Sequence, residues 1–202
     1  MITILESLKN IIRKNEKLVN FYRFLVFLGK MLSHDLFNLE KLFLFLKVYP
    51  YTMVGYEKLD NVYKLAKVAG TNEIKGDFVE CGVWKGGCAA VMAFIARNRK
   101  TWMFDSFEGL PEPTLEDGSI AKHYSGNRAG GKLESIEECV GSLEDVKKIF
   151  FEILKISENN VVIKKGWFQN TLPKEGESIG SIAILRLDGD WYESTKVCLD
   201  NL

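Results

Sequence analysis

Histidine and cysteine are scarce in this 202-residue chain, and the few that occur do not form a recognisable metal or disulfide pattern. There are 2 histidines and 4 cysteines, and no two cysteines form a C-x-x-C pair. A zinc site or a disulfide framework is therefore not indicated, and the cysteine usage fits a reducing cytosol. The sequence thus predicts a cytoplasmic protein.

An excess of charge and long hydrophobic runs are also missing. Lys plus Arg number 27 and Asp plus Glu number 27, so the formal net charge is zero and no nucleic acid partner is expected. Arg23 and Lys30 interrupt the richest apolar segment, and no stretch approaches the ~20 apolar residues of a membrane span. With 47% hydrophobic residues the chain can still bury a core, and one principal domain is expected.

Residues 1–50 differ from the rest of the chain in residue spacing and in charge. Their apolar residues recur at helical spacing, and their basic residues outnumber the acidic ones. We expect two or three short amphipathic helices here, as an N-terminal extension to a domain over residues 51–202. The extension is interpreted as a helical cap or as a contact in a homo-oligomer, and the alternative is peripheral membrane contact through residues 1–50. The apolar positions include Ile11, Ile12, Leu18, Phe21, Tyr22, Leu25, Leu42, Phe43 and Leu46.

Beyond residue 51, short apolar runs alternate with helical stretches. Strands are expected at residues 77–81, 101–105, 160–165 and 181–188, with helices at 56–68, 87–97 and 142–155. This alternation predicts an α/β protein, a Rossmann-like fold with a doubly wound, mostly parallel sheet.

Two features depart from a complete domain of this kind. The run over residues 106–141 is long and polar and contains several scattered glycines, which predicts a functional lid or an acceptor loop. The chain stops at Leu202, soon after the fourth strand, whereas sheets of this class commonly contain more strands. We therefore expect a polypeptide truncated after the fourth strand, with that strand exposing an unpaired edge.

The first strand runs into a glycine-rich turn in the sequence GDFVECGVWKGG, residues 76–87. Val83 and Trp84 follow Gly82, so the G-x-G-x-x-G spacing of a pyrophosphate-binding turn is absent. Gly82 permits close backbone approach, and Glu80 places a carboxylate just before the turn. An acidic strand end repels pyrophosphate and suits the cationic amino acid portion of S-adenosylmethionine.

A second carboxylate, Asp105, ends the next strand. An acidic side chain at that place can accept hydrogen bonds from both ribose hydroxyls of a nucleoside. Glu80 and Asp105 together predict a site for a nucleoside without phosphates, with Ser106 beside Asp105 as a further cofactor-binding residue. Either carboxylate alone is equally compatible with an ordinary strand end that caps a helix.

Five blocks of sequence, in order, resemble the TylF or macrocin O-methyltransferase family. They are YTMVGYEKL at 51–59, GDFVECGVWKGG at 76–87, FDSFEGLPEP at 104–113, GWFQNTLP at 166–173 and LRLDGDWYESTKVCLDNL at 185–202. The resemblance leaves the N-terminal extension uncovered. It implies a class I S-adenosylmethionine-dependent methyltransferase, typically one that needs Mg²⁺ or another divalent cation and methylates a sugar hydroxyl on a glycan or glycosylated small molecule.

The same resemblance assigns roles to residues outside the first two strands. Gly166 and Trp167 are expected beside the adenine, where the indole could stack. Thr52 and Met53 are expected at the methionine end of the cofactor. His123, in the long polar run, is the candidate general base on its own chemistry rather than by resemblance, because an imidazole titrates near neutral pH. The sequence around His123 departs from the family pattern.

Asp188 and Asp190 are expected to hold the metal ion, with Asp188 thereby taking part in catalysis. Two alternatives remain open from the sequence. The D-x-D formed by these aspartates also occurs in nucleotide-sugar glycosyltransferases, where it holds a divalent ion against a diphosphate. A truncated chain could instead be an inactive interaction module that acts through its N-terminal helices.

Overall fold

Four short runs rich in apolar residues form one parallel sheet in the computed structural model, which describes residues 15–96 and 98–202. The strands are β1 Asp77–Cys81, β2 Thr101–Asp105, β3 Val161–Lys165 and β4 Ile182–Leu187. The helices are α1 Glu16–Asp35, α2 Leu39–Val48, α3 Tyr56–Thr71, α4 Gly87–Ile95, α5 Gly118–Tyr124, α6 Leu143–Lys147, α7 Phe168–Ile179 and α8 Tyr192–Asn201. The predicted α/β class and the four predicted strands are confirmed, with ends that differ by a residue at most.

The strand order β3-β2-β1-β4 creates a reversal in the sheet. The chain moves outward from β1 through β2 to β3, and then returns to place β4 on the other side of β1. In open parallel sheets, ligands bind beyond the carboxyl ends of the strands at such a reversal. A ligand site is therefore expected at the carboxyl ends of β1 and β4.

Alternate residues of the strands enter two different cores, as expected for the two-residue period of a strand. Phe78 and Met103 pack on one side of the sheet with α3 and α4. Val79 and Phe104 pack on the other side with α7 and α8. Helices thus cover both faces, which explains why the strands read as nearly continuous apolar runs.

The described part of the N-terminal extension contains two helices, α1 and α2, where two or three short ones were expected, and α1 is longer than expected. Asn15 caps α1 by accepting hydrogen bonds from the backbone N–H groups of Lys17 and Leu18, and the helix continues for 20 residues. Buried Phe27 and Phe45 place α1 and α2 in the same core as the domain helices. The predicted apolar positions at 11 and 12 lie outside the described residues.

A buried lysine joins α1 and α2 to the domain. The Lys41 Nζ atom on α2 lies 2.7 Å from a carboxylate oxygen of Asp35 and 2.5 Å from one of Asp60 on α3. The Tyr56 hydroxyl donates to the other Asp35 oxygen at 2.6 Å. A charge removed from water needs such partners, so this network fixes the angle at which the three helices meet. No helix within residues 15–96 and 98–202 combines the length and apolarity needed to cross a bilayer.

The helix expected over residues 142–155 changes from α-helical to π-helical geometry part-way along. Ser142 caps α6 by accepting a hydrogen bond from the backbone N–H of Asp145 at 3.0 Å. After five residues the α-helix changes to a π-helical segment over Lys148–Ile153, which keeps Ile149 and Phe150 buried against the core. The predicted helix is therefore confirmed as far as Ile153, with a π-helical second half that the sequence did not indicate.

Candidate functional site

A cavity of about 330 Å³ opens at the carboxyl edge of the sheet, beside the strand reversal. Residues from six separate parts of the chain form its wall, and four of these parts follow directly after a strand, because the carboxyl ends of parallel strands meet at one edge. Among the lining residues are Met53, Gly82, Trp84, Asp105, Ser106, Pro111, Cys139, Trp167, Asp188 and Asp190. The fold thus brings together most of the residues that the sequence predicted for a cofactor site.

Gly82 forms the tight junction between β1 and the turn that follows. Its φ is +88°, and a Cβ atom there would lie 2.0 Å from the backbone oxygen of Asp188. The glycine is therefore required for the close approach of β1 to the end of β4, in addition to lining the cavity. This approach brings Glu80 and Asp188, the predicted ligands of cofactor and metal, to neighbouring positions.

The Asp105 carboxylate organises the same turn. One carboxylate oxygen accepts hydrogen bonds from the backbone N–H groups of Val83 at 2.7 Å and Trp84 at 2.9 Å, and the other accepts from Phe107 at 2.7 Å. These donors use three of about four acceptor positions on a carboxylate, so one position remains for a ligand. Burial raises the pKa of Asp105 even though the three N–H donors favour its ionised form.

Glu80 is fully buried and is held by an arginine that the sequence interpretation missed. Arg186 on β4 is the register partner of Glu80, and its guanidinium pairs with one Glu80 oxygen and, at 2.8 Å, with Asp188. The second Glu80 oxygen is buried without a hydrogen-bond partner in the described part of the chain. Burial raises the pKa of Glu80 to about 7, while Arg186 opposes the shift. A lone arginine inside the apolar run SIAILRLD was the signal for such a partner.

Thr52 and Met53 approach this buried pair from the loop before α3. A small cavity of about 30 Å³ lies between them and Glu80, with Arg186 and Asp188 on its far side. Met53 also lines the larger cavity, so the two spaces are neighbours. The structure therefore places the two residues predicted for the methionine end next to the predicted partner of its ammonium group.

Trp167 lines the larger cavity directly after β3, whereas Gly166 is not among its lining residues. Gly166 has a φ of +143°, and its backbone N–H donates to the Asp105 carbonyl at 2.9 Å. The glycine thus turns the chain at the end of β3 so that the indole of Trp167 can reach the cavity. Its own predicted contact with adenine stays a prediction.

The long segment over residues 106–141 folds across the carboxyl edge of the sheet. Trp191 Nε1 donates to the Pro111 carbonyl at 2.9 Å, and Trp84 Nε1 donates to the Val140 carbonyl at 3.1 Å. These bonds tie the segment to the turns after β4 and β1. Pro111 and Cys139 supply part of the cavity wall, so the segment is placed where a lid or acceptor loop would act.

Asp188 and Asp190 both face the cavity but differ in their partners. Asp188 is paired with Arg186, whereas no ion pair or hydrogen bond of the Asp190 carboxylate is seen among the described residues. Loss of hydration, with the neighbouring Asp188 charge, raises the pKa of Asp190. Within residues 15–96 and 98–202 no group of three acidic, cysteine or histidine side chains is arranged to hold a metal ion. The donor set for a cation is thus limited here to two carboxylates.

His123 lies on the exposed face of the short helix α5 and is not among the residues that line the cavity. Its predicted role as general base stays a prediction.

Three of the eight described non-glycine residues with positive φ belong to the cavity wall. Trp84, Cys139 and Asp190 have φ values of 51°, 55° and 59°, a left-handed conformation that non-glycine residues rarely adopt. All three line the cavity. Such conformations cost ~1–3 kcal/mol each and are common where a site requires one particular side-chain direction. Sequence reasoning gave no indication of this feature.

A second, larger groove adjoins the cavity. It has a volume of about 680 Å³ and shares Met53, Val54, Gly55 and Trp84 with the cavity wall. Its other side is formed by α1, which presents Arg23 to it. The N-terminal extension therefore contributes directly to the surroundings of the candidate site.

Comparison with known protein families shows to which family the chain belongs. The profile of the macrocin O-methyltransferase (TylF) family matches residues 47–202. The chain belongs to the TylF family. The match begins at the end of α2, so α1 lies outside it.

Two curated relatives of the chain are named as O-methyltransferases. The chain is 36% identical over 157 residues to the 8-demethyl-8-(2,3-dimethoxy-alpha-L-rhamnosyl)-tetracenomycin-C 4'-O-methyltransferase of Streptomyces olivaceus, covering 75% of this chain and 57% of that protein. It is 36% identical over 159 residues to the demethyldecarbamoylnovobiocin O-methyltransferase of Streptomyces niveus, covering 75% and 56%. The chain therefore spans little more than half the length of these relatives.

Solved structures confirm the fold. The O-methyltransferase NovP superposes with a TM-score of 0.60 at 34% sequence identity, over 75% of this chain and 61% of NovP. The calicheamicin methyltransferase CalS11 superposes with a TM-score of 0.55 over 86% of this chain and 69% of CalS11, and at 20% identity it supports the fold alone. The predicted Rossmann-like architecture and the predicted family are both confirmed.

Proposed function

We propose that this TylF-family chain forms the cofactor-binding part of an S-adenosylmethionine-dependent O-methyltransferase that methylates a sugar hydroxyl. The observation that carries the proposal is the pair of adjoining cavities at the strand reversal in a chain of this family, the larger lined by Asp105 and Asp188 and the smaller by Glu80 and Asp188. TylF relatives that methylate a rhamnosyl group or a glycosylated antibiotic support a sugar hydroxyl as acceptor.

The residues present fit the methyl donor. The unpaired oxygen of buried Glu80 needs a hydrogen-bond donor or a cation, which the ammonium group of a bound amino acid provides. Asp105 keeps one acceptor position for a ribose hydroxyl, and Trp167 offers a flat apolar surface for adenine. S-adenosylmethionine supplies a methyl group on a positively charged sulfur, which makes the methyl carbon electrophilic.

The chain's own contribution is then to position the acceptor and remove its proton. Alignment of the reacting oxygen with the methyl carbon can account for a large part of the rate enhancement. The groove beside α1 gives room for the part of a glycosylated acceptor that is not methylated. Asp190 lines the cavity, and its carboxylate has no ion pair or hydrogen bond to any residue that the structure describes, so it is a better placed proton acceptor than His123, which does not line the cavity.

Asp188 and Asp190 would also be the residues that hold a divalent cation. Such an ion would lower the pKa of a coordinated sugar hydroxyl. Two carboxylates do not complete a Mg²⁺ site, so water or acceptor oxygens would have to supply the remaining ligands.

Thermal-shift and calorimetric titrations with S-adenosylhomocysteine test the proposal. We expect stabilisation by S-adenosylhomocysteine and none by UDP or dTDP. Stabilisation by the nucleoside diphosphates alone, dependent on Asp188 and a divalent ion, would support a D-x-D glycosyltransferase in its place. Binding of neither compound would favour an interaction module without enzymatic activity.

The proton acceptor is tested separately by turnover with labelled S-adenosylmethionine and methyl rhamnoside as probe acceptor. We expect His123→Ala to retain activity within about two-fold, because its side chain does not reach the cavity. A large loss in His123→Ala, with a changed pH profile near neutrality, would restore the histidine as general base.

A further inference from the structure

The outward face of α1 carries an unbroken row of large apolar side chains. Leu18, Phe21, Leu25, Leu32 and Leu36 are 42%, 59%, 47%, 42% and 54% exposed. At 3.6 residues per turn these positions fall within a sector of about 60° on the helix surface. A stripe of this kind on a soluble helix normally faces another element, and in the described part of the chain nothing covers it.

The spacing of the row is that of a helix–helix seam. Leu18, Phe21, Leu25, Leu28 and Leu32 follow one another at intervals of three, four, three and four residues. This is the a/d pattern of a heptad, in which each apolar side chain inserts between residues of a facing helix. Leu28 is partly buried against the core, and the other four remain available to a partner.

A glycine lies in the middle of the row. Gly29 is one position from Leu28 and falls between Leu25 and Leu36 on the helix surface. A Cβ atom built on it would meet nothing within 4 Å. Glycine destabilises a helix interior relative to alanine, and no contact inside the described chain requires its small size here. A second helix that approaches closely at this point does require it.

The charges around the row favour a protein partner over a lipid surface. Helices that lie on membranes carry Lys and Arg along both borders of their apolar face. Of the described residues that border this row, only Lys17 is basic, since Tyr22 and Ser33 lie on the other side. Arg23 and Lys30 lie on the opposite face of α1, where they line the groove beside the cavity.

We propose that α1 packs antiparallel against α1 of a second copy of this chain, through the row that runs from Leu18 to Leu36. A two-fold axis requires one patch to contact itself. The row is centred near residue 27, so an antiparallel pair places Leu25 of each copy over Gly29 of the other. The arrangement leaves the groove and the cavity open, because they lie on the other side of α1.

The strength of this contact follows from its size. The 20 residues of α1 extend for about 30 Å. The row contributes fewer residues than the about 20–30 a side of a standard interface, so we expect a weak dimer, to be sought at roughly 1 to 100 µM.

Analytical ultracentrifugation over this concentration range tests the proposal on the full chain. The mass should rise towards twice the chain mass of 23.0 kDa in the wild type and stay at the monomer value in Leu25→Glu. Ile120→Glu is the matched control, since Ile120 is 85% exposed on α5, away from the row. Circular dichroism of each variant establishes that it is folded.

Gly29→Ala separates helix stability from association. We expect a higher melting temperature for the dilute monomer, because alanine favours the helix, together with an association constant reduced at least five-fold. An unchanged association constant would overturn the close approach at Gly29. A wild type that stays monomeric throughout, or that is monomeric and floats with phosphatidylserine vesicles, would overturn the dimer altogether. Equal dissociation of Leu25→Glu and Ile120→Glu would do the same.

Discussion

Arg186 on β4 pairs with Glu80 on β1 across the strand reversal, and the buried glutamate has no other charged partner within hydrogen-bond distance among the described residues. The two side chains meet because they are register partners on adjacent parallel strands. The Arg186 guanidinium thus balances the charge of the ionised Glu80 carboxylate where the candidate site is fully buried.

Removal of Arg186 should be costly at alkaline pH. In Arg186→Met the buried Glu80 carboxylate loses its partner, and we expect a loss of about 3 kcal/mol in the free energy of unfolding at pH 8. The loss should be smaller at pH 5, where Glu80 binds a proton. Urea unfolding measures both values. Lys164→Met is the control, because its pair with Glu175 at 2.8 Å is more exposed and should contribute less than ~1 kcal/mol.

Titration of Glu80 should make stability fall as pH rises. The pKa of Glu80 in the folded chain is raised from 4.5 to about 7, so between these values the folded state binds more protons than the unfolded state. Stability from this group is full below the unfolded pKa and is lost as pH rises through the folded pKa. We expect Glu80→Gln to remove that part of the slope in urea titrations between about pH 4.5 and pH 7. Parallel curves for both proteins would refute the shift.

Removal of Asp105 should weaken cofactor binding for two reasons. Asp105→Ala should weaken S-adenosylhomocysteine binding by roughly 1.5 to 3 kcal/mol, because a charged acceptor for the ribose is lost and the turn over Val83 and Trp84 relaxes. Isothermal calorimetry measures the affinity. Asp77→Ala is the control, since Asp77 accepts a hydrogen bond from Trp102 at 2.9 Å at the opposite end of the sheet. It should lower stability and leave the affinity unchanged.

Close approach, rather than backbone conformation alone, should make Gly82 sensitive to substitution. In Gly82→Ala the new Cβ would lie 2.0 Å from the Asp188 oxygen, so β1 and β4 must separate. Gly126 has a similar φ of +70° with open space around it, and Gly126→Ala should cost only the ~1–2 kcal/mol of a left-handed residue. Thermal unfolding of the two variants should differ clearly, and equal losses would show that conformation alone matters.

Cation binding should depend on Asp188 but not on His123. Asp188→Asn is expected to weaken Mg²⁺ binding, measured by calorimetry in the presence of S-adenosylhomocysteine, by at least ten-fold, because one of the two available carboxylates is lost. Affinity for S-adenosylhomocysteine itself should change less than two-fold. His123→Ala should leave Mg²⁺ binding unaltered. Wild-type protein that binds no Mg²⁺ would remove the cation from the proposed function.

The strands and the carboxylates at their ends were predictable. Which strands are neighbours in the sheet, and which side chains therefore form pairs, was not. Apolar runs of five or six residues between polar stretches indicate buried strands, and Asp105 and Asp188 are each the acidic residue that closes such a run. Arg186 could have been noticed as a charge inside an apolar strand, but the sequence does not state that β4 lies beside β1. The change from α-helix to π-helix at Lys148 and the position of His123 outside the cavity likewise depend on packing against distant residues.

The sequence by itself determined the α/β class, the family and the chemical groups available at the carboxyl edge, because these follow from local periodicity and from motifs read in order. Only the tertiary structure decided that Glu80 is paired with Arg186, that Asp105 is largely occupied by backbone donors, and that α1 presents an uncovered apolar row. The first two depend on contacts between residues far apart in the chain, which the order of the strands brings together, and the third depends on which face of α1 packs against the domain.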